Sequence, residues 1–418
     1  MKNNLLIGAI IFLSVFAASA QKYISGSNLP YHNPTPGEIT IMAVSPLPDG
    51  LQPSPQAFQE LVDCGFNLTT SQGSVAYFNN IFNMLGDMNL KFLISNPNFI
   101  TKDVRQSYIS AFKDNPHLGG WLLKDEPLFR TWPELSQQYK LFFQEDTNKF
   151  IYVNLFGNIS NNIPGVKNMS EYAEIFQKMF TPACFSYDFY PIITRNKKTS
   201  VEYDQFYSDL EDFSSVSQKN NRPFWTFCES IAYTTEGYSR PTPTEAYFRF
   251  QAYNALAYGA QGIVYWSYGM RKSSGGENFQ SALVDLKGKR SKAWYAAQKV
   301  NNQIKKFNNV FLECDVKEVR HTGDKIYKGT HKLSGSIGPF SMVRTGAAGV
   351  VVSRIENNGE KYIVIVNRDV TKKQKITLEL LANKKVIDLT SNNQQQYSGI
   401  TDFNVTLDKS DWAIFKEI

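Results

Sequence analysis

Residues 118–127 read LGGWLLKDEP, an apolar run that stops abruptly at Lys124, Asp125, Glu126 and Pro127. A short apolar run bounded by a turn signal fits a strand buried on both faces, as parallel sheets require. Such a strand delivers whatever follows it to one rim of its sheet, and here that is a pair of adjacent acids.

Seven further stretches have the same character: EITIMAVSP (38–46), FNLTTSQ (66–72), LKFLISNPN (90–98), KFIYVNLFG (149–157), ACFSYDFYP (183–191), PFWTFCES (223–230) and QGIVYWSYG (261–269). Amphipathic segments of helical length separate them. In SPQAFQELVDCGF, Phe58, Leu61 and Val62 share a face and Gly65 ends the run. TWPELSQQYKLFFQ opens with Thr131 as a cap and places Pro133 in the first turn, where a missing N–H costs nothing. SEYAEIFQKMF and TEAYFRFQAYNALAYGAQ take Ser170 and Thr244 as caps, and RSKAWYAAQKVNNQIKKF (290–307) is the eighth helix. Eight strands alternating with helices predict an α/β fold, a closed (β/α)8 TIM barrel rather than an open sheet.

From about residue 310 the pattern changes to alternating strands and turns, as in GVVVSRIENNGEKYIVIVNRD, KITLELL, KKVIDLT and WAIFKEI. The Asn-Gly pair in ENNGEK signals a hairpin. The chain therefore divides into a leader (1–20), a barrel (21–309) and a small C-terminal antiparallel β-sandwich (310–418).

The leader, MKNNLLIGAIIFLSVFAASAQ, carries Lys2, an apolar run from Leu5 to Phe16 and the small residues Ala18, Ser19 and Ala20. That is the pattern of a secretory signal cut after Ala20. The run is shorter than the ~18 apolar residues a membrane span needs. Export, to a periplasm or to the medium, is expected, with no membrane span after cleavage. The formal charge of +6 is dispersed, which fits a solvated surface and no nucleic-acid partner. Aromatic residues make up 14% of the chain, which suits both a large core and stacking on sugar rings. Cys64, Cys184, Cys228 and Cys314 form no CxxC pair and sit among apolar neighbours, so buried free thiols are expected. His32, His117, His321 and His331 have no metal-ligand spacing, so neither a catalytic metal nor a cofactor is expected. Oligomeric state leaves no mark in the sequence.

A (β/α)8 barrel builds its site at the C-terminal ends of its strands. The polar residues there are Ser71, Gln72, Asn96, Asn98, Lys124, Asp125, Glu126, Asn154, Asp188, Tyr190, Glu229, Trp266 and Tyr268. Two carboxylates stand out, Glu126 after the fourth strand and Glu229 after the seventh. Cleaving a glycosidic bond needs one carboxyl group to protonate the departing oxygen and a second to attack or stabilise the anomeric carbon. Strands four and seven lie three apart around the ring, so their ends can face each other across the mouth. Carboxyl groups ~5 to 5.5 Å apart imply retention of configuration, and ~6.5 to 9.5 Å implies inversion.

This layout resembles the retaining (β/α)8-barrel glycoside hydrolases of clan A, over essentially the whole chain after the leader. The resemblance implies a carbohydrate substrate, with Glu126 of KDEP as acid/base, Glu229 of FWTFCES as nucleophile and Trp266 of VYWSY as a sugar platform. The clan's usual Asn before the acid/base Glu is here Asp125, which can accept a hydrogen bond from the sugar 2-hydroxyl but cannot donate one as the amide does. Two adjacent acids also resist joint ionisation, which keeps Glu126 protonated. Asp188 and Tyr190 have two roles open to them, contact with Glu229 or sugar, or hydrogen bonding in the core. For Lys124, Asn154 and Gln72 the choice is substrate contact or scaffold. A non-catalytic carbohydrate-binding barrel is the alternative reading, and a hydrolase of some other bond is a third.

Overall fold

A computed structural model of the chain describes residues 31–157, 163, 165–399 and 402–418. The expected leader, residues 1–20, lies outside the described residues. The first six strands of the barrel are β1 (Thr40–Ala43), β2 (Leu68–Gln72), β3 (Lys91–Ser95), β4 (Leu118–Asp125), β5 (Phe150–Phe156) and β6 (Phe185–Asp188). A hairpin, β7 (Ile192–Arg195) and β8 (Lys198–Val201), then interrupts it before the seventh barrel strand, β9 (Phe224–Glu229). A second hairpin, β10 (Ala232–Thr235) and β11 (Tyr238–Arg240), precedes the eighth, β12 (Gly262–Trp266), and β13 (Asn278–Ser281) follows it. The eight parallel strands close in the order β1-β12-β9-β6-β5-β4-β3-β2, as the alternation of apolar runs and helices predicts.

Around the barrel lie α1 (Pro55–Asp63), α2 (Val75–Leu85), α3 (Lys102–Phe112), α4 (Trp132–Glu145), α5 (Met169–Phe180), α6 (Tyr203–Asn220), α7 (Glu245–Ala257) and α8 (Lys292–Lys306). Their starts follow local chemistry. Ser54 caps α1 by accepting from the Ala57 N–H, and Thr244 caps α7 by accepting from that of Tyr247. Two expected caps differ. Thr131 precedes α4, but its hydroxyl donates to the Leu128 carbonyl at 2.7 Å instead of accepting from the helix. Ser170 is not a cap but the second residue of α5, because Asn168 takes that place and accepts from the Glu171 N–H at 2.8 Å. Glu171 then accepts from the Lys167 N–H at 2.9 Å, a reciprocal closure available only with the cap at Asn168.

The barrel interior is filled by alternate side chains of its strands, among them Met42, Leu68, Leu93, Phe150, Tyr152, Trp225, Phe227 and Val264. Trp225 stacks on Phe150 with ring centroids 4.8 Å apart. Gly262 makes room for that indole, since a Cβ there would lie 2.4 Å from the Trp225 ring.

The sequence reading did not anticipate a five-stranded antiparallel sheet, β13-β10-β11-β7-β8, assembled from the segments after the last three barrel strands. It stands beside the barrel mouth. Its β7–β8 hairpin turns through Asn196 and Lys197, both left-handed (φ 49° and 63°), the geometry of a two-residue primed turn.

After the short helix α9 (Asn308–Phe311) come β14 (Asp315–His321), β15 (Phe340–Arg344), β16 (Val350–Asn357), β17 (Glu360–Asn367) and β18 (Gln374–Leu380). The last four strands are β19 (Lys385–Asp388), β20 (Gln396–Ser398), β21 (Phe403–Leu407) and β22 (Trp412–Glu417). They form a six-stranded sheet, β14-β16-β17-β22-β19-β20, and a three-stranded one, β15-β18-β21, with Phe340, Ile363, Leu378 and Phe415 in the core they enclose. The Asn358-Gly359 turn joins β16 to β17 with both residues at positive φ. Helix α7 is buried continuously from Phe248 to Ala257, because it has β9 on one side and β16 and β17 on the other. Trp412 of β22 stacks on Tyr253 of α7 at 3.6 Å and 8°. All four cysteines are buried and unbridged. Among the described residues no helix is long and apolar enough to cross a membrane.

Candidate active site

At the end of β4 a one-residue slip decides which acids face the barrel axis. Leu122 pairs with Tyr152, but Lys124 pairs with Val153 and Asp125 with Asn154, so Leu123 is the extra residue of a β-bulge. Register partners in a parallel pair share a face, and Asn154 follows Phe150 and Tyr152 to the inside. Asp125 therefore points inward and accepts from Asn154 Nδ2 at 3.0 Å, while Lys124 faces out with Val153. Glu126 comes next with φ 43°, a left-handed backbone that costs a non-glycine residue about 1 kcal/mol. Its N–H donates to the Asn154 carbonyl at 2.9 Å, which holds the turn. Strain of this kind is stored at sites that use it.

Asn154 is the hub of this acid cluster. Its Nδ2 also lies 3.3 Å from Asp188 Oδ1, and its Oδ1 accepts from Ser186 Oγ at 2.8 Å, with the Tyr152 hydroxyl 2.7 Å beyond. The Asp188 and Glu126 carboxyl groups are hydrogen-bonded to each other. Burial raises the Glu126 pKa and the Asp125 charge raises it further, against the Asp188 hydrogen bond. Asp188 is pushed well above the usual carboxylate range, by burial first and then by the charges of Glu126 and Asp125. Asp125 is open to the cleft yet crowded by its walls; this loss of solvent raises its pKa, against the Asn154 hydrogen bond and Lys124. Two carboxyl groups that share a hydrogen bond share a proton, and both shifts favour its retention.

Across the mouth, Trp225, Phe227 and Glu229 alternate inward along β9, and Glu229 pairs in register with Trp266 of β12. Glu229 is 5% exposed; its N–H donates to Gln251 Oε1 at 3.0 Å. Its carboxylate lies 3.4 Å from the Arg240 Nε of β11. Burial drives the Glu229 pKa well up and the Arg240 charge opposes this. Tyr190 and Trp266 lie side by side, 5.8 Å between centroids, with Tyr233 edge-on to the indole. A cleft of about 1050 Å³ opens here, with Asp125, Glu126, Asp188, Tyr190, Arg240 and Trp266 on its wall. A second hollow of about 810 Å³ adjoins it across Asp125 and is walled by Gln72 and Lys124. Among the described residues no group of three or more His, Cys, Asp and Glu side chains is placed to hold a metal ion.

A glycoside hydrolase family 42 model, described as beta-galactosidase, matches residues 125–307. A catalytic mutant of a GH42 β-galactosidase from G. stearothermophilus superposes with a TM-score of 0.59 at 10% identity, over 91% of this chain and 98% of the other. A β-galactosidase from Bacillus circulans sp. alkalophilus does so with a TM-score of 0.57 at 9% identity, over 91% and 99%. At such identities the likeness to these structures is one of fold. No curated protein matches the chain in sequence. The family match falls on the barrel segment that carries both Glu126 and Glu229. The family match and the closed eight-stranded barrel together support a glycoside hydrolase of the clan A (β/α)8-barrel type.

Of the residues singled out in the glycosidase sequence, the fold brings Asp125, Glu126, Asp188, Tyr190 and Trp266 onto one cleft wall. Asn154 is buried behind them as their tether, and Glu229 adjoins them through Arg240 and Trp266. Lys124 and Gln72 stand apart, both exposed, on the adjoining hollow. The sequence reading missed Arg240, Tyr233 and Tyr238, all on the five-stranded sheet. A signal was present, since the alternation in AYTTEGYSR around Glu236-Gly237 marks a two-residue hairpin.

Proposed function

We propose that this glycosidase is exported and cleaves O-glycosidic bonds with net retention of configuration, Glu126 serving as acid/base and Glu229 as nucleophile. The observation that carries the reading is the placement of Glu126 and a buried, Arg-paired Glu229 at the C-terminal ends of strands three apart in the barrel. Asp188 does not compete for the second role, because a carboxyl group hydrogen-bonded to Glu126 leaves no room between the two for the ~5 Å span that a double displacement needs. In the first step Glu229 attacks the anomeric carbon while Glu126 gives its proton to the departing oxygen, and a glycosyl ester forms. In the second, Glu126 takes a proton from water as that water attacks the same carbon, and the ester breaks with Glu229 leaving as carboxylate.

The remaining residues follow from position. Trp266 and Tyr190 offer apolar faces to a sugar ring, and Asp125 accepts from its 2-hydroxyl. Asn154 and Asp188 hold the acids in place, while Lys124 and Gln72 contact the rest of a longer glycan. Because the matching family model is described as beta-galactosidase, an aryl β-galactoside is the first probe. Glu229→Gln is expected to reduce turnover by several orders of magnitude and Glu126→Gln by about 10² to 10⁴. Azide is expected to rescue Glu229→Gly and to yield a glycosyl azide of inverted configuration. Undiminished turnover in folded Glu229→Gln would remove Glu229 from the mechanism. Export is checked by the N-terminus of the mature protein, expected at Gln21, and a chain that keeps Met1 would contradict it.

A further inference from the structure

Arg240 lies outside the barrel, on the short strand β11, yet reaches the one inward carboxylate that the Asn154 network does not hold. Its Nε stands 3.4 Å from Glu229 Oε1, with side-chain exposures of 11% and 5%. Neither atom has another hydrogen-bond partner among the described residues. The guanidinium itself is fixed from the far side. Its NH1 donates to the carbonyls of Tyr190 and, at 3.1 Å, Ile192, and its plane lies against the rings of Tyr190 and Tyr238, 5.9 and 5.3 Å from their centroids. A buried carboxylate with a single cationic partner depends on it, since removing one member of such a pair leaves an uncompensated charge.

We propose that Arg240 is the positioning residue of the nucleophile: the five-stranded sheet beside the mouth exists in part to carry this guanidinium, which favours the ionised form of Glu229 and aims its carboxylate. The inference rests on the assignment of Glu229 as nucleophile. No other cation is within ion-pair distance of Glu229 among the described residues. The other ionisable groups about it are the phenols of Tyr190, on the segment after β6, and Tyr233, on β10. Burial pushes both phenols up, so they are neutral and cannot replace the charge. Asp188 of β6 and Asp125 of β4 face Tyr190, and a carboxyl group is either neutral or negative, so neither supplies a cation. Gln251 of α7 binds the Glu229 backbone and leaves the carboxylate alone.

The test is the pH profile of kcat/KM for Arg240→Met and Arg240→Lys on the aryl β-glycoside that the wild type turns over, with thermal melts to establish folding and Glu229→Gln in parallel. The expected result for Arg240→Met is an acid limb moved up by about one pH unit or more. Its kcat should fall by about two orders of magnitude, with KM nearly unchanged. Arg240→Lys, which keeps a cation, should lie between Arg240→Met and the wild type. Folded Arg240 variants with the wild-type acid limb and kcat, beside an inactive Glu229→Gln, would overturn the proposal and leave the nucleophile standing. An active Glu229→Gln would overturn the nucleophile assignment itself. Should Arg240→Met fail to fold, Arg240→Lys decides alone: an unmoved acid limb counts against the proposal and a partial shift supports it.

Discussion

At Asp125 the chain places an acceptor-only side chain beside Glu126, the proton donor proposed above. The acid makes its neighbour a weaker acid, because burial raises the Glu126 pKa and the Asp125 charge adds to that rise. Asp125→Asn removes the second cause and keeps an oxygen to accept from Asn154 Nδ2. The Glu126 pKa should then fall. The alkaline limb of kcat/KM, which reports loss of the Glu126 proton, is expected to move to lower pH by about one unit or less. A limb that stays in place or moves upward would show that Asp125 does not act on the acid. The same substitution gives the amide a donor for the 2-position, so relative activity on substrates differing there should change as well, read as a ratio of kcat/KM values.

The elements that hold these residues differ in how openly the sequence declares them. The eight barrel strands are apolar runs because both faces of a parallel sheet are covered, and their spacing by helices leaves one closed architecture. Gly262 belongs to that logic: Gly262→Ala would drive a methyl group into the Trp225 ring. Overpacking should cost about 1–3 kcal/mol, read as a lowered midpoint in denaturant unfolding. A variant as stable as the wild type would mean that the indole can move. Three features stayed hidden for physical reasons. The β4 bulge falls between Leu122 and Lys124, where one apolar residue more or less leaves the run looking the same, yet it turns Asp125 inward and Lys124 outward. The strands of the five-stranded sheet have only three or four residues each and come from separate segments, so they exist through their pairing and not through any local periodicity. Arg240 meets Glu229 through that pairing, which is why the two candidate carboxylates could be read from the chain and the guanidinium could not. At α5, Asn168 and Ser170 are both competent caps, and only the reciprocal bonds of Glu171 separate them.

The molecule joins its barrel and its sandwich through one continuous apolar core, in which Tyr253 of α7, Phe311 of α9 and Trp412 of β22 form a stack. Helix α7 also supplies Gln251 to the Glu229 backbone, so the sandwich buttresses the element that backs Glu229. Trp412→Ala should cost about 3–5 kcal/mol and lower the thermal midpoint of barrel and sandwich together. Two separated transitions would show that the parts fold independently. Lys325, from the segment after β14, pairs with Asp204 at 2.8 Å on the rim of the cleft, so the sandwich reaches the substrate's side of the barrel too. These placements support the proposed attack on a sugar from Glu229 and protonation of its leaving group from Glu126. The most direct measurement is peptide mapping of the enzyme after reaction with a 2-deoxy-2-fluoroglycosyl fluoride matched to the glycoside it hydrolyses, starting from the β-galactosyl analogue. A covalent sugar on Glu229, absent in Glu229→Gln, is the predicted result; an ester on Asp188 or another carboxyl group, or an active enzyme that releases inverted product without accumulating any ester, would contradict it.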